Sequence, residues 1–160
     1  RNPDRWVVCF GGSDQNDYTG KAIMWLKKRN NNPEIIAVVG DGYQHTKHLK
    51  DEGVTVKQRL SAEEMTELFR SATNVICSAS SVCYESLACG CKVFAGYYVE
   101  NQREFYENLK KESLIIPLGE LHQLTQMILN ATIEKSQDFK LVIPDYSRVP
   151  ENFKTLFRTL

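Results

Sequence analysis

Short apolar segments recur along the whole chain, and most of them are continuously apolar rather than alternating. Continuous runs are typical of strands that are covered on both faces, as in a parallel sheet. Positions with helical spacing fill most of the intervals between these runs. We therefore predict strands at residues 6–10, 35–39, 54–56, 74–77, 92–95 and 114–116, and helices at residues 18–28, 45–52, 62–71, 82–89, 102–111 and 120–131.

The strict alternation of strand and helix predicts the fold class. It indicates an α/β domain with a Rossmann-like, doubly wound parallel sheet flanked by helices. Ser61 and Glu64 are spaced as a capping box, and Gly53 and Gly90 fall where helices should end. The tract 135–160 has a weaker pattern, and there we predict an extension with a loose excursion at 135–149 and a terminal helix near 151–158.

The composition narrows the class of protein. The chain has 160 residues, 20 basic and 20 acidic side chains, and a formal net charge of zero. The length suits one domain, residues 1–160, and the charge balance argues against a nucleic-acid partner. Because the sequence has no bilayer-length apolar run and no secretory signal, we predict a cytoplasmic protein without an integral membrane segment. The start at Arg1, almost directly before a strand, leads us to expect a piece of a longer protein.

The cysteines and histidines give little evidence for a metal site. The five cysteines are odd in number and lack CxxC spacing, so we predict reduced, mostly buried thiols. His45 and His48 could share a helix face, but no thiol or carboxylate cluster accompanies them, and surface histidines are the simpler interpretation. His122 is placed near the start of a late helix, with no evident nucleophile or acid partner. We predict neither a metal nor a cofactor.

A glycine-rich segment directly follows the first predicted strand. It contains Gly11, Gly12, Ser13 and Asp14. Adjacent glycines allow positive φ angles and let a diphosphate approach main-chain N–H groups near the start of a helix. The segment is not the dinucleotide-binding GxGxxG pattern. The alternative is a tight turn in which Ser13 or Asp14 caps the next helix.

Small hydroxyl residues follow the strand at residues 74–77. Ser80 and Ser81 could donate hydrogen bonds to phosphate at the start of the next helix, where the helix dipole favours negative charge. Glu85 would lie about one turn inside that helix, where its carboxylate could accept hydrogen bonds from two ribose hydroxyls. The alternative for Glu85 is a first-turn glutamate that complements the helix dipole.

A third polar segment follows the strand at residues 92–95. The amides of Asn101 and Gln102 could bind sugar hydroxyls or phosphate oxygens, although Asn101 could instead cap a helix beside a solvent-facing Gln102. Arg59 and Leu60 follow the short third strand, where a base could lie against the backbone. Parallel sheets bind ligands outside the carboxyl ends of their strands, so all these loops are predicted to share one edge.

Together, three of these segments resemble the C-terminal domain of the UDP-sugar hydrolases of pseudaminic-acid biosynthesis. The segments are residues 10–14, residues 76–81 with Glu85, and residues 98–102. The resemblance covers about residues 6–131 and extends more distantly to the C-terminal lobes of GT-B glycosyltransferases. It departs at Gln15, where the family often has proline. The ligand contacts that it implies are Gly12 and Ser13 at the diphosphate or sugar edge, Ser80 and Ser81 at the phosphates, Glu85 at the ribose, and Asn101 with Gln102 at the sugar or phosphates.

The resemblance implies a lobe that binds a UDP-sugar and faces an N-terminal lobe of the same parent chain. Water would attack the anomeric carbon and release UDP and a free amino-deoxy sugar for surface-glycan synthesis, with the base supplied by a histidine of the N-terminal lobe. We therefore expect a hydrolase whose isolated domain binds UDP without efficient catalysis. One alternative is the donor-binding domain of a GT-B glycosyltransferase, and another is a non-catalytic nucleotide-sugar-binding module.

Overall fold

A computed structural model describes residues 2–29 and 31–139 of the chain. Within these residues, six strands form one parallel sheet in the order β3-β2-β1-β4-β5-β6. The strands are β1 Asn2–Cys9, β2 Glu34–Val38, β3 Val54–Lys57, β4 Ala72–Ser78, β5 Lys92–Tyr97 and β6 Ile116–Glu120. The helices are α1 Tyr18–Lys27, α2 Ala62–Ser71, α3 Ser81–Ala88, α4 Glu100–Lys111 and α5 Gln126–Lys135, with single 3₁₀ turns at His48–Lys50, Leu121–Gln123 and Ser136–Asp138. The predicted Rossmann-like fold class is confirmed.

Helices cover both faces of the sheet. Since successive strand residues point to opposite sides, neighbouring residues of one strand pack in different core clusters. On β1, Val8 packs in the cluster that includes α1 and α5, whereas Val7 packs in the cluster that includes α2, α3 and α4. On β4, Ile76 and Val75 divide in the same way. Removing such a side chain from water stabilises the fold by about 1.5–3 kcal/mol. Burial on both faces explains why the strands are continuously apolar in the sequence.

Several of the predicted elements were wrong in extent or type, and the first strand, predicted from residue 6, begins at Asn2. The helix at 45–52 is only the turn His48–Lys50, the strand at 114–116 begins at Ile116, and the helix at 120–131 begins at Gln126. Ser113, two residues after the end of α4, has a left-handed backbone with φ 55°. The turn after α4 therefore continues past residue 113, and β6 begins later than predicted. Thr125 caps α5 by accepting a hydrogen bond from the N–H of Ile128. The terminal helix predicted near 151–158 lies outside the described residues.

Two of the three predicted signals for helix ends were correct, whereas Gly53, with φ 80°, lies in a turn before β3 and ends no helix. The Ser61 hydroxyl accepts from the Glu64 N–H at 3.2 Å, and the Glu64 carboxylate accepts from the Ser61 N–H at 2.7 Å, which completes the capping box. Gly90 directly follows the C-cap of α3 and has φ 74°, a conformation that glycine adopts without steric cost. These contacts fix the length of the helices that carry two of the predicted ligand loops.

The order of the strands creates a crevice at the carboxyl edge of the sheet. The connections from β1 and β4, which are neighbours, lead to helices on opposite faces, since α1 packs in one core cluster and α3 in the other. Such a reversal leaves the space between the two loops open, and ligands of open α/β sheets bind there. The Gly-rich segment and the hydroxyl segment flank this point.

All five cysteines are free thiols, four of them buried, and burial raises the pKa of Cys9. Within the described part of the chain, no cluster of three or more His, Cys, Asp or Glu side chains could hold a metal ion. In the same residues, no helix has the length and apolar character needed to cross a membrane.

Candidate functional site

The loop after β1 leaves its glycines open to the crevice. Gly11 has φ 96°, and both Gly11 and Gly12 are exposed, with empty space around the position that a Cβ would occupy. The loop is backed by Gly40, which follows β2. A Cβ on Gly40 would overlap the Cα and carbonyl oxygen of Gly12. The sequence thus provides main chain that a ligand can approach from one side, supported by a second main-chain segment on the other.

Asp14 has a structural contact that the sequence offered only as an alternative. Its side chain is buried, and its two carboxylate oxygens accept hydrogen bonds from the N–H groups of Tyr18 at 2.9 Å and Thr19 at 2.7 Å. Asp17 is the N-cap of α1 and accepts from the Gly20 N–H. Asp14 therefore anchors the glycine loop to the start of α1, while Ser13 next to it is exposed.

The start of α3 lacks the side-chain cap that other helices of the fold possess. Ser80 is the N-cap, but its hydroxyl donates to the Ser78 carbonyl at 3.3 Å rather than accepting from the helix. Among the described helices, α1, α2 and α5 have side-chain caps, whereas α3 and α4 do not. Ser81 and Glu85 are both exposed on α3. The two uncapped helix starts lie at neighbouring strand ends, next to the crevice.

The loop after β5 places its two predicted amides differently. Asn101 is exposed in the first turn of α4, and the N-cap of that helix is Val99, so Asn101 is not the cap. Gln102 is half-buried, and its Oε1 accepts from the Tyr98 N–H at 3.3 Å. One end of the Gln102 amide therefore holds the loop, and Asn101 faces solvent.

Arg59 and Leu60 lie at the same edge of the sheet but two strands away from the glycine loop. Arg59 has a left-handed backbone, with φ 53°, and its guanidinium forms an exposed ion pair with Asp41 at 2.9 Å. Leu60 packs against the second core cluster. At a strand spacing of about 4.8 Å, the ends of β3 and β1 are separated by about 10 Å. The predicted site residues therefore extend along the edge from β3 to β5.

The sequence analysis missed a polar and aromatic cluster at the other end of this edge. The Tyr18 hydroxyl lies 2.8 Å from Nδ1 of His122, and Nε2 of His122 lies 3.3 Å from the Tyr98 carbonyl oxygen. From the sequence, His122 has no evident nucleophile or acid partner. In the structure it is hydrogen-bonded to the Tyr18 hydroxyl at the start of α1 and to the Tyr98 carbonyl after β5. The mistaken end of the last strand hid this arrangement.

Two hydrogen bonds hold the His122 ring. A carbonyl oxygen can only accept, so Nε2 donates to Tyr98, and Nδ1 shares the second hydrogen bond with the Tyr18 hydroxyl. Burial, reinforced by the charge of Asp14, raises the pKa of Tyr18 to about 12, so the phenol keeps its proton near neutral pH. The imidazole is therefore held between the start of α1 and the loop after β5.

Two cavities open beside the glycine loop, and Ser13 lines both of them. One has a volume of about 440 Å³, and Asn16, Tyr18, Tyr98 and His122 are in its wall. The other, of about 300 Å³, is lined on the β2 side by residues that include His45, whose Nε2 lies 3.1 Å from the Gln15 carbonyl oxygen. The side chain of His48, which was weighed with His45 as a metal pair, lies outside the described part of the structure.

Comparisons with known proteins agree with this architecture. No protein-family model matches the sequence. An uncharacterized protein of Methanocaldococcus jannaschii is 27% identical over 112 residues, which are 66% of this chain and 23% of that protein. The chain thus matches less than a quarter of the length of this curated relative.

Solved structures share the fold at low sequence identity. UGT89C1 of Arabidopsis thaliana, solved with UDP, matches 98% of this chain and 44% of its own with a TM-score of 0.60 and 12% identity. ALG13 matches 93% of this chain and 95% of its own, with a TM-score of 0.54 and 12% identity. The glycosyltransferase SnogD of Streptomyces nogalater matches 98% and 44%, with a TM-score of 0.52 and 14% identity.

These likenesses define the class of fold: a Rossmann-like lobe of the type found in GT-B glycosyltransferases. They support the broader half of the resemblance found in the sequence. They do not support its narrower half, the assignment to a pseudaminic-acid hydrolase.

Proposed function

We propose that this chain is the nucleotide-sugar-binding lobe of a GT-B glycosyltransferase-like enzyme. The observation that carries the proposal is the crevice where β1 and β4 diverge, flanked by an open glycine loop and by the uncapped starts of α3 and α4. Main-chain N–H groups of a glycine loop and two helix dipoles near one place favour a diphosphate. UGT89C1, which was solved with UDP, has the same fold.

The diphosphate is the part of the ligand that this geometry suits best. Gly11 and Gly12 allow close approach of the phosphates to the main chain, and Ser13 adds an exposed hydroxyl. From the opposite side of the crevice, Ser80 and Ser81 offer hydroxyls at the start of α3. No metal enters this proposal, because the donors are neutral hydroxyls and main-chain N–H groups.

The order of the strands then suggests how the base, the ribose and the sugar are arranged along the edge of the sheet. Glu85, one turn inside α3, is exposed and suited to accept from two ribose hydroxyls. Arg59 and Leu60, after β3, are proposed to contact the base, since β3 lies at one end of the sheet. Asn101 and Gln102, after β5, lie on the opposite side of the diphosphate and are proposed to contact the sugar or the phosphates.

Catalysis is proposed to need a second lobe of the parent protein. The chain matches 44% of the length of UGT89C1 and of SnogD, about one lobe of each. A catalytic base on another lobe cannot be positioned when that lobe is missing. The 160-residue chain is therefore expected to bind UDP without turning over a UDP-sugar efficiently.

Glu85→Ala is expected to weaken UDP binding by about 1–3 kcal/mol, because the variant leaves the ribose hydroxyls without their acceptor. Isothermal titration of the 160-residue chain with UDP measures this. Glu104→Ala is the matched control, since Glu104 is an exposed glutamate at the same position in α4 as Glu85 in α3. Equal affinity for UDP in Glu85→Ala and wild type would remove the ribose assignment. A wild-type chain without affinity for UDP would contradict the proposed site itself.

The fate of the sugar separates the transferase from the hydrolase. The resemblance of residues 10–14 and 98–102 favours a hydrolase. The likeness to UGT89C1 and SnogD favours a transferase, and we propose the transferase. With the parent protein that includes the second lobe, we expect little free reducing sugar when a UDP-sugar is incubated without an acceptor. Release of free sugar and UDP in equal amounts would instead establish hydrolysis. No turnover under any condition would favour a binding module.

A further inference from the structure

The cavity beside His122 has the chemistry of a site for a neutral, polyhydroxylated ring. Its wall combines hydroxyl, amide and imidazole groups with two aromatic side chains, Tyr18 and Tyr98. No lysine or arginine is among the described residues that line it, and both oxygens of Asp14 are engaged by main-chain N–H groups. Lys21 Nζ lies 5.0 Å from the centroid of the Tyr18 ring but is not among the lining residues. A sugar ring finds both hydrogen-bond partners and apolar surface in this wall.

The position of the cavity along the sheet edge agrees with that chemistry. A nucleotide sugar is linear, with the diphosphate between the nucleoside and the sugar. If the base lies after β3 and the diphosphate between β1 and β4, the sugar falls at the ends of β5 and β6. Tyr98 follows β5, and His122 lies in the turn after β6.

His122 also fixes the loop that this sugar would touch. The Tyr98 carbonyl accepts from His122 Nε2, and the Tyr98 N–H donates to the Gln102 side chain. Tyr18 holds the other ring nitrogen of His122, and its ring packs against Tyr98 with centroids 5.3 Å apart. The imidazole therefore links the loops after β1, β5 and β6 into one wall.

We propose that the cavity beside Tyr98 is the subsite for the sugar ring of the nucleotide sugar, with His122 as the positioning residue that holds the β5–α4 loop against that ring. The buried Tyr18 holds His122 from behind. This inference rests on the proposed function. Tyr98 and His122 are not among the site residues predicted from the sequence, although the predicted Ser13 and Asp14 line the same cavity.

The test compares the affinities of UDP, UDP-glucose and UDP-N-acetylglucosamine for wild type and variants by isothermal titration. The quantity of interest is the ratio of the Kd of UDP to the Kd of each UDP-sugar. In His122→Ala this ratio is expected to fall about five- to tenfold for the better-bound sugar, which is the effect of losing one hydrogen-bonded contact, while UDP itself binds within about twofold of wild type.

Two further variants make the result specific. His122→Gln keeps a side-chain donor for the Tyr98 carbonyl and should restore most of the ratio. His45→Ala removes the histidine of the neighbouring cavity and should leave the ratio unchanged. Thermal unfolding of each variant checks the fold.

Two results would overturn the inference: an unchanged ratio in His122→Ala, or equal weakening of UDP and UDP-sugar. A wild type that binds UDP but gains nothing from either sugar would also overturn it while the diphosphate site stands. Failure of wild type to bind UDP would instead remove the proposed function, and the subsite with it.

Discussion

Gly40→Ala is expected to lower the free energy of unfolding by about 3 kcal/mol and to weaken UDP binding by about tenfold. The new Cβ would overlap the Cα and carbonyl oxygen of Gly12, and two main-chain segments cannot relieve the overlap by changing a rotamer. Overpacking typically costs about 1–3 kcal/mol, and a main-chain clash belongs at the upper end of that range. Urea denaturation followed by circular dichroism measures the stability, and calorimetry measures the affinity.

Gly12, which the new Cβ of Gly40→Ala would overlap, provides the matched control. A Cβ on Gly12 would meet no atom within 4 Å, so Gly12→Ala should fold with nearly wild-type stability. The same Cβ would occupy the open space that the diphosphate is proposed to enter. Gly12→Ala should therefore bind UDP more weakly than wild type although it is folded. Wild-type stability in Gly40→Ala would show that the two loops can separate freely. Wild-type affinity in Gly12→Ala would place the diphosphate elsewhere.

The strands could be predicted from the sequence wherever they are buried on both faces. Residues 6–9 of β1, 75–77 of β4 and 93–95 of β5 are continuous apolar runs at the centre of the sheet, whereas the polar residues 2–5 of β1 were not predicted as strand. β6 is an edge strand, with exposed Pro117 and with Gly119 at φ 76° near its end, so its apolar signal is short. The prediction therefore stopped at the first residue of β6 and extended the next helix over its end.

The predicted helix at 45–52 shows the opposite error. Leu49 is the one apolar residue in 45–52, and it packs partly buried against a core cluster. A helix of that length needs several core-facing positions to be stabilised by packing. The segment instead forms one 3₁₀ turn, His48–Lys50, between β2 and β3.

The location of the site, at one edge of the sheet, could be predicted from the sequence, but the contacts of its side chains could not. That the loops after β1, β4 and β5 meet follows from the parallel sheet, and the alternation of elements revealed the sheet. The hydrogen-bond partner of each polar side chain could not be predicted in this way. The Gln102 amide oxygen accepts from the Tyr98 N–H, and the Asp14 carboxylate accepts from an N–H at the start of α1. The contact of Tyr18 with His122 joins residues 104 apart in the sequence and depends on the correct end of β6.

Asp14→Ala is expected to lower the free energy of unfolding by about 3 kcal/mol, as measured by urea denaturation. The substitution leaves the buried N–H groups of Tyr18 and Thr19 without their acceptor, and each unsatisfied buried group costs about 1–3 kcal/mol. Asp14 also has φ 37°, a conformation that aspartate tolerates better than alanine does. Asp4→Ala, at an exposed aspartate, is the control and should change stability by about 0.5 kcal/mol or less.

Asp14→Asn separates the anchoring role of Asp14 from a direct contact with the ligand. Asparagine keeps one carbonyl oxygen and tolerates positive φ, so it should recover part of the stability that alanine loses. If Asp14 acts by holding the glycine loop, UDP affinity and stability should recover together across the two variants. If its carboxylate repels the nearby diphosphate as well, Asp14→Asn should bind UDP more tightly than its stability predicts. Loss of affinity in Asp14→Asn with nearly wild-type stability would instead mean that the carboxylate contacts the ligand, as its place beside Ser13 first suggested.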